Sequence, residues 1–302
     1  MPLLTFTWSE FAQQIVSGLA TGCIYASLAL ALVIIYRSTG VINFAQGEMA
    51  TFSTFIAYWL IVEEGLPFWV GFFLTLLMSF AGGVLLERVV IRPVERAPVL
   101  TIVMVTLGLL IAINGLVTWI WGGETRTFPS AFSRRTIEVG DVVISIQSLG
   151  FIALTFSAVA LLYALFRLTK VGLGLRAAAL NPDASRLLGV RVSWMLALGW
   201  GIAAVLGAVA GMMYAPDAQL DPNMMLGVLL YAFAAAVLGG LDSPVGAVVG
   251  GLVLGVVLNL LGRYASEVFG GQMRIVGGLL VILVVLFFRP AGLFGRTSAR
   301  RV

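Results

Sequence analysis

The sequence has no histidine, one cysteine and one lysine, and only 11% of its residues are charged. The lone cysteine, Cys23, cannot form an intrachain disulfide. Without histidine, and with few acidic residues in the apolar stretches, the chain shows no nucleophile beside a base and no metal-ligand cluster. A membrane-embedded enzyme is therefore the function class that the composition supports least.

The only lysine, Lys170, is followed by Val171, so the phosphate-binding pattern G-x-x-x-x-G-K-[ST] is absent. If ATP drives transport, a separate chain must bind it. We therefore predict that this chain is not an enzyme and binds no cofactor or metal itself. A chain of titratable groups for proton coupling is also missing. Sodium coupling can use backbone and hydroxyl oxygens, so an ion-coupled carrier or a channel for small neutral solutes stays open as an alternative.

Hydrophobic residues make up 60% of the 302 residues, and the mean hydropathy is +1.06. Apolar runs long enough to cross about 30 Å of hydrocarbon recur between Phe11 and Phe288. The sequence predicts an all-α, polytopic transmembrane bundle of about 8–9 spans with interrupted or short helices, in a single domain over residues 1–302. The predicted spans are 11–36, 48–63, 67–90, 99–121, 147–168, 194–215, 226–241, 244–262 and 272–288.

The basic residues lie mainly between the spans. The segment 167–193 carries five bases against one acid, which predicts a cytoplasmic segment at about 170–193. The arginine-rich C-terminal tail is predicted on the same side. The loop at about 122–146 mixes both signs and is predicted to be external, as is the N-terminus. The net charge of +4 is thus interpreted as a topology determinant in a lipid bilayer and not as a nucleic-acid-binding feature.

Polar breaks adjoin the two shortest predicted spans. Irregular backbone at membrane depth is tolerated where protein or water satisfies it, and such breaks often line the substrate path of transporters. We therefore predict a substrate pathway there, although an ordinary cytoplasmic turn at each break remains the alternative. The candidate residues in the breaks are Asn43, Phe44, Gln46, Gly47, Glu48, Asp242 and Ser243.

Few ionisable or amide side chains fall within the predicted spans. Glu48, Glu87 and Asp242 each lie near a span end, which favours interfacial, solvated carboxylates over a proton relay. Asn114 and Asn259 can bridge helices or touch substrate, and the bridge is the favoured interpretation. Asn114 joins the candidate pathway residues.

Small residues recur four positions apart, a spacing that lets helix backbones approach closely. We interpret these pairs as packing contacts between helices. They are Gly18/Gly22, Gly207/Gly211, Gly246/Gly250 and Gly251/Gly255.

A short cytoplasmic helix is predicted between Leu180 and Gly189. Pro182 suits its first position, and a two-turn helix needs a docking surface to be stable. Its apolar face can dock into a partner's groove, or pack on this chain's own span ends or in the headgroup layer. The residues assigned to this coupling helix are its cap Asn181, the pair Asp183 and Arg186, the apolar Ala184, Leu187 and Leu188, and the terminating Gly189.

Four segments together resemble the permeases of branched-chain amino-acid ABC importers, of the LivH type. The quoted segments are VINFAQGE at 41–48, GLRA at 174–177 running into SRLLGV at 185–190, AVLGGLDSPVGA at 236–247 and RPAGLFG at 289–295. Many relatives have histidine in place of Gln46 and glycine in place of Asp242. Related subunits also move amides, urea and other amino acids.

The resemblance implies a multi-pass subunit of the bacterial inner membrane. Its implied partners are a second, LivM-like permease, two LivG/LivF-like cytoplasmic ATPases that bind ATP and Mg²⁺, and a periplasmic solute-binding protein. The helix at 182–188 would be the coupling helix. An external hairpin is predicted independently, because apolar residues at 137, 139, 142 and 144 flank Gly140-Asp141. It would contact the solute-binding protein or cap the bundle.

Overall fold

The computed structural model describes residues 7–133, 135–265, 273–289 and 291–295. Nearly all of the regular structure in these ranges is helical, as predicted, and a helix covers each of the nine predicted spans. The helices are α1 (Trp8–Thr39), α2 (Gln46–Tyr58), α3 (Phe68–Leu86), α4 (Val99–Trp121), α5 (Ile146–Leu168), α6 (Lys170–Leu180), α7 (Pro182–Leu187), α8 (Val192–Ala218), α9 (Met224–Gly239), α10 (Pro244–Leu260) and α11 (Met273–Phe288).

Three of these helices continue past their α-helical part as π-helical turns. Wider π-helical turns extend α2 over Trp59–Glu63, α3 over Glu87–Ile91 and α10 over Leu261–Ala265. A 3₁₀ turn, Arg92–Val94, then completes the extension of α3. Two strands, β1 (Thr136–Val139) and β2 (Val142–Ser145), pair antiparallel.

Six helices in the described ranges are long and apolar enough to cross a membrane. They are α1, α3 with its extension, α4, α5, α8 and α10 with its extension. The α-helical part of α2 has only 13 residues and α9 has 16, so the prediction that these segments are short is confirmed. The crossings counted by length and composition are therefore fewer than the 8–9 predicted, and the exact number of spans stays a prediction.

The long helices differ in how much of their apolar surface the chain itself covers. The most apolar window is 89% buried in α1 and 72% in α8, but only 17% in α4 and 11% in α5. Apolar surface left uncovered on a spanning helix is compatible with lipid. Consequently α1 and α8 are interior helices, whereas α4 and α5 present apolar faces to the surroundings.

The chain divides into two compact units, of which unit 1 comprises residues 1–29, 130–155 and 230–302. Within it, glycines bring α1 against α10: a Cβ added at Gly22 would lie 2.9 Å from the Leu252 Cα, and one added at Gly18 would lie 2.6 Å from the Val256 Cα. The predicted packing role of these glycines is confirmed. Close backbone approach at these positions leaves no room for a larger side chain.

Unit 2 comprises residues 30–129 and 156–229, and α8 packs against both α2 and α3 in it. Gly211 of α8 faces α2, since an added Cβ would lie 2.9 Å from the Ala50 carbonyl oxygen. On the α3 side, a Cβ added at Gly83 would lie 2.6 Å from the Trp200 carbonyl oxygen. Trp200 is 1% exposed, which places the centre of this unit's core along α8.

Candidate pathway and coupling sites

The short helix α2 begins deep inside unit 2. The Asn43 side chain shapes the preceding turn, accepting from the Ala45 amide at 3.0 Å and donating to Gln46 Oε1 at 3.2 Å. Gln46 Nε2 then donates to the carbonyl oxygen of Ala203 in α8 at 2.9 Å. Ala203 is eleven residues after the start of α8 at Val192, or about 17 Å along a helix. The first turn of α2 therefore lies near the middle of α8.

The other short helix, α9, starts close to the same point. A Cβ added at Gly47 would lie 3.3 Å from both the Leu229 Cβ and the Met225 carbonyl oxygen. The first turn of α2 and the first two turns of α9 are therefore in contact. Two short helices that start next to each other within a membrane protein are the arrangement in which transporters commonly hold their substrate.

A polar cluster that is buried at Glu48 and Pro222 lies beside this contact and is centred on the half-buried Asn114 of α4. Asn114 Nδ2 lies 3.3 Å from Glu48 Oε2, 3.0 Å from the Pro222 carbonyl oxygen and 3.1 Å from Asn223 Oδ1. Glu48 has no exposed surface, and its Oε1 has no hydrogen-bond partner among the described residues. The helix-bridging role predicted for Asn114 is thus confirmed. We call Glu48, Asn114, Asp221, Pro222 and Asn223 the Glu48 cluster.

Sequence reasoning missed the segment that completes this cluster. Residues 219–223 connect α8 to α9, and neither Pro222 nor Asn223 was predicted as a pathway residue. Gln219 has a φ of +68°, which is unusual for a residue other than glycine. A proline next to an amide between two apolar runs could have indicated the break. Arg126 fixes it through backbone hydrogen bonds with Leu220 in both directions, at 2.8 and 2.9 Å.

The expectation that the carboxylates are solvated is wrong for two of the three. Glu48 is fully buried and Glu87 is 1% exposed. Glu48 is buried because α2 begins against the middle of α8 and not at the end of a span. Glu87 lies in the π turn that continues α3, whereas Asp242 is exposed as predicted. Asn259 does not form the predicted bridge among the described residues, because its Nδ2 donates to Gly255 of its own helix at 3.1 Å.

The second predicted break lies in unit 1 and serves a tight turn. Ser243 Oγ accepts from the Gly246 amide at 3.0 Å and so caps α10. Gly240, with a φ of +102°, ends the preceding helix. The chain near 293 closes over this turn, since the Leu293 amide donates to the Leu238 carbonyl at 2.8 Å. Among the remaining pathway candidates, Phe44 is half-buried in the turn before α2.

An apolar cavity of about 280 Å³ lies between α2, α3, α4 and α8 in unit 2. Its lining includes Met49 and Ile113, the chain neighbours of Glu48 and Asn114. Apolar space is therefore present along the same pair of helices as the polar cluster. The lining residues are Met49, Phe52, Ser53, Ile56, Met78, Ser79, Gly82, Gly83, Leu85, Leu86, Ile113, Leu116 and Ala204.

The predicted cytoplasmic helix is present as α7, with the predicted ends. Asn181 Oδ1 accepts from the Ala184 amide at 3.0 Å, and Gly189 adopts a φ of +81° just beyond the last turn. Asp183 and Arg186 form the predicted pair at 2.9 Å. Local capping chemistry therefore determines where this helix begins and ends.

The apolar residues of α7 do not pack on this chain. Leu187 is 90% exposed and Leu188 is 82% exposed, whereas Ser185 on the other face is 3% exposed. The interpretation that these leucines pack on the chain's own span ends is therefore wrong. The inner face is anchored on the chain, because Ser185 is buried there and Arg186 lies 4.0 Å from Glu95. The Val190 amide closes the end of the helix by donating to the Ser185 carbonyl at 2.9 Å.

A polar crevice of about 490 Å³ adjoins α7. At its edge the Arg88 guanidinium lies 3.8 Å above the centre of the Trp194 ring, a cation–π contact that joins the extension of α3 to the start of α8. The lining residues are Arg92, Glu95, Arg96, Arg186, Gly189, Val190, Arg191, Val192, Ser193 and Trp194.

The hairpin predicted near Gly140 is confirmed in unit 1, and its external side of the membrane stays a prediction. Ile137 pairs with Ile144 and Val139 with Val142, and Gly140 provides the positive φ of +63° that the turn needs. Gln13 of α1 binds the second strand, which sequence reasoning had not anticipated. Its Nε2 donates to the Val143 carbonyl and its Oε1 accepts from the Val143 amide, both at 2.8 Å.

The fold and these sites define a multi-pass membrane protein with the features of a transport subunit. The family model for the branched-chain amino acid transport system permease component matches residues 14–288. The chain belongs to this family.

Similar curated proteins support this assignment along the whole chain. The high-affinity branched-chain amino acid transport permease protein BraD of Pseudomonas aeruginosa is 30% identical over 97% of this chain and 98% of its own length. LivH of Escherichia coli K12 is 28% identical with the same coverage. A probable LivH of Methanocaldococcus jannaschii is 28% identical over 89% of this chain and 87% of its own.

Proposed function

We propose that this chain is the translocation-pathway subunit of an ATP-binding-cassette importer for branched-chain or related amino acids. It works in the bacterial inner membrane. The observation that carries the proposal is the anchored helix α7 with its two exposed leucines, in a chain whose family is that of branched-chain amino-acid permeases. An apolar pair more than four-fifths exposed on a structured helix is typical of a protein-binding surface.

The proposed complex pairs this chain with a second, LivM-like permease. Two LivG/LivF-like ATPase subunits bind ATP and Mg²⁺ and receive α7 in a groove, and a periplasmic solute-binding protein delivers the solute. Leu187 and Leu188 are the anchors that enter the ATPase groove. α7 takes its shape from the cap Asn181, the pair Asp183 and Arg186, and Gly189 just after its end. Ala184 adds to its outer face.

Movement of α7 can reach the membrane interior through contacts inside unit 2. Arg186 lies 4.0 Å from Glu95, next to the extension of α3, and the Arg88–Trp194 contact joins that extension to α8. Further along α8, the Ala203 carbonyl holds Gln46 at the start of α2. A push on α7 would therefore displace α3 and α8 together and carry the first turn of α2 with them.

The proposed substrate pathway uses the residues around the interrupted helices. In unit 2 the proposed residues are Asn43, Phe44, Gln46, Gly47, Glu48 and Asn114; in unit 1, Asp242 and Ser243 are proposed separately. Six of these eight residues are uncharged and the other two are acidic, which suits a zwitterionic or neutral solute with an apolar body.

The test is ATP-driven leucine uptake by the complete transporter in proteoliposomes. Replacing both Leu187→Asp and Leu188→Asp places two charges where the partner groove would be apolar, so uptake should fall to background. The bundle should keep its thermal stability, because both leucines are exposed.

The matched control is the pair Val171→Asp and Leu173→Asp on the neighbouring helix α6, where the side chains are 42% and 60% exposed. It adds the same charge to the same segment and should leave uptake near wild type. Normal uptake by the α7 variant would overturn the coupling assignment. Uptake driven by an ion gradient with this chain alone would reject the importer proposal.

A further inference from the structure

The Glu48 cluster holds more hydrogen-bond acceptors than donors. Asn114 Nδ2 carries two hydrogens, yet three oxygens lie 3.0–3.3 Å from it: Glu48 Oε2, the Pro222 carbonyl and Asn223 Oδ1. Glu48 Oε1 is a fourth oxygen without a partner in the described ranges. Asn223 is exposed, so its Oδ1 can bond to solvent, but two hydrogens cannot satisfy the three oxygens of the buried residues Glu48 and Pro222. The buried part of the cluster therefore lacks at least one donor.

Burial makes this shortage costly. Glu48 has no exposed surface, and no basic side chain in the described part of the chain forms an ion pair with it. If the carboxyl group is ionised, it has no countercharge. If Oε1 carries a proton, that proton has no acceptor within reach. Either form leaves a buried polar group that needs a further partner, which native proteins supply as an ordered water, an ion or a ligand.

The surroundings favour a positively charged ligand. Glu48 lies in the first turn of α2, where the helix dipole stabilises an ionised carboxylate. Asp221 adds a second negative charge that acts on Glu48. Its own Oδ1 accepts from the Asn223 amide at 2.8 Å, which fixes the loop around the cluster. A ligand that fills this site must bring both donors and positive charge.

A primary ammonium group meets these requirements, because it carries one positive charge and three hydrogens. We propose that the Glu48 cluster binds the ammonium group of the transported solute, with Glu48 Oε1 as its counterion and the Pro222 and Asn223 oxygens as further acceptors. The proposal rests on the proposed transport function and narrows it. It selects zwitterionic amino acids over neutral amides and urea within the range of solutes that related permeases carry.

The cluster extends from an exposed residue to a buried one. Asn223 is exposed while Glu48 is fully buried, so the cluster runs from the surface of unit 2 to its interior. On the proposal, the solute would meet Asn223 first and Glu48 last. An apolar cavity of about 280 Å³ lies along the same helices, and its lining includes Met49 and Ile113, the chain neighbours of Glu48 and Asn114. Aliphatic amines are therefore suitable probes.

The experiment measures equilibrium binding to the transporter in lipid nanodiscs. The solute-binding protein is left out, so that its selectivity does not affect the measured binding. The probes are labelled L-leucine, 3-methylbutylamine, which keeps the ammonium group, and 4-methylpentanoate, which lacks it. Glu48→Gln should weaken binding of leucine and of the amine at least ~10-fold, because a charge-assisted hydrogen bond is lost. Binding of 4-methylpentanoate should not weaken.

The matched control is Glu63→Gln, which removes a carboxylate at the other end of the same helix. Glu63 is 41% exposed and pairs with Arg126 at 3.0 Å, so the control should bind all three probes as wild type does. Glu48→Gln should also fold, because glutamine keeps an oxygen for Asn114 and removes an unpartnered buried charge. As a second variant, Asn223→Ala removes an acceptor from the exposed edge and should weaken amine binding by roughly 2–10-fold.

Unchanged binding of the amine by Glu48→Gln would overturn the proposal. Binding of a metal ion at the cluster in place of the amine would also overturn it. In that case sodium chloride, but not choline chloride, would raise the thermal stability of the wild type, and Glu48→Gln would show no such rise. Import of leucine by the wild-type complex tests the proposed function separately. If leucine is not imported but amine binding depends on Glu48, the ammonium site stands and the importer assignment fails.

Discussion

The apolar face of α7 and the Glu48 cluster depart in opposite ways from the usual relation between polarity and burial. On α7, Leu187 is 90% and Leu188 82% exposed. The N-terminus of this helix is capped by the Asn181 side chain. In the cluster, Glu48 is fully buried with one oxygen unpartnered among the described residues. Both lie in unit 2, and each lacks something that this unit does not supply.

The kind of partner that is missing differs between the two sites. Exposed leucines on a convex helix fit a broad apolar groove of the kind that a partner protein provides. A buried carboxylate among carbonyl oxygens is satisfied by a small group with several hydrogens and a positive charge. The two proposals therefore assign a protein-binding site to the surface of unit 2 and a site for a small cation to its interior, and contacts along α8 lie between them.

The largest effect that separates the two sites should come from Asn114→Leu. Asn114 is the only donor that reaches the Glu48 carboxyl group among the described residues, so its loss leaves both carboxyl oxygens unpaired and the free energy of unfolding should fall by about 3 kcal/mol. The double variant with Glu48→Leu should recover most of that loss, because the buried charge is gone. Thermal unfolding in detergent measures both.

The control for this change is Asn259→Leu. The Asn259 amide donates to Gly255 of its own helix, so its loss should cost less than about 1 kcal/mol. Equal destabilisation by the two asparagine variants would show that Asn114 holds no buried charge.

A smaller effect is expected where α8 positions the cluster. A Cβ added at Gly207 would lie 2.8 Å from Gln46 Nε2, so Gly207→Ala should displace the start of α2 and lower stability by about 1–2 kcal/mol. Leucine binding should weaken with it.

The control is Gly199 of the same helix, where an added Cβ would lie 3.8 Å from Ser38 Oγ. Gly199→Ala should therefore be neutral or stabilising by up to about 1 kcal/mol. Intact leucine binding in Gly207→Ala would show that the position of α2 does not control the site.

The smallest effect should appear on α7. Asn181→Ala removes the side-chain cap of the Ala184 amide and should cost the helix about 1 kcal/mol, seen as faster hydrogen exchange at that amide. ATP-driven uptake should fall severalfold without being abolished. Thr169→Ala removes the equivalent cap of α6, where Thr169 Oγ1 accepts from the Gly172 amide at 3.0 Å, and should leave coupling unchanged. An equal loss of uptake in both variants would argue against a special role for α7.

Local features could be predicted well from the sequence because they depend on neighbours in the chain. The ends of α7 follow from Asn181, Pro182 and Gly189, and the hairpin turn follows from Gly140. The helical spans follow from the length and composition of apolar runs. Small residues four apart predicted close contacts at Gly22 and Gly211, although the sequence could not say which helices would meet there.

Predictions that depended on depth or on distant partners were less successful. Glu48 looked interfacial because the polar break before α2 resembles a turn at the membrane surface. The structure places that break beside Ala203, in the middle of α8. Asn223 was missed since its role depends on α4, more than one hundred residues earlier in the chain. No local pattern contains either relationship.

The sequence by itself determined where the helices form, that the chain lies in lipid and that it has no nucleotide-binding loop. Hydropathy, capping and short motifs each act over a few residues, which is why these features can be predicted locally. Tertiary structure alone decided which polar groups are buried and what they lack. Burial depends on where helices cross and on which distant oxygens share one amide, as Asn114 shows with Glu48, Pro222 and Asn223. That arrangement is set by packing along the whole of α8, a property of the folded chain and not of any segment.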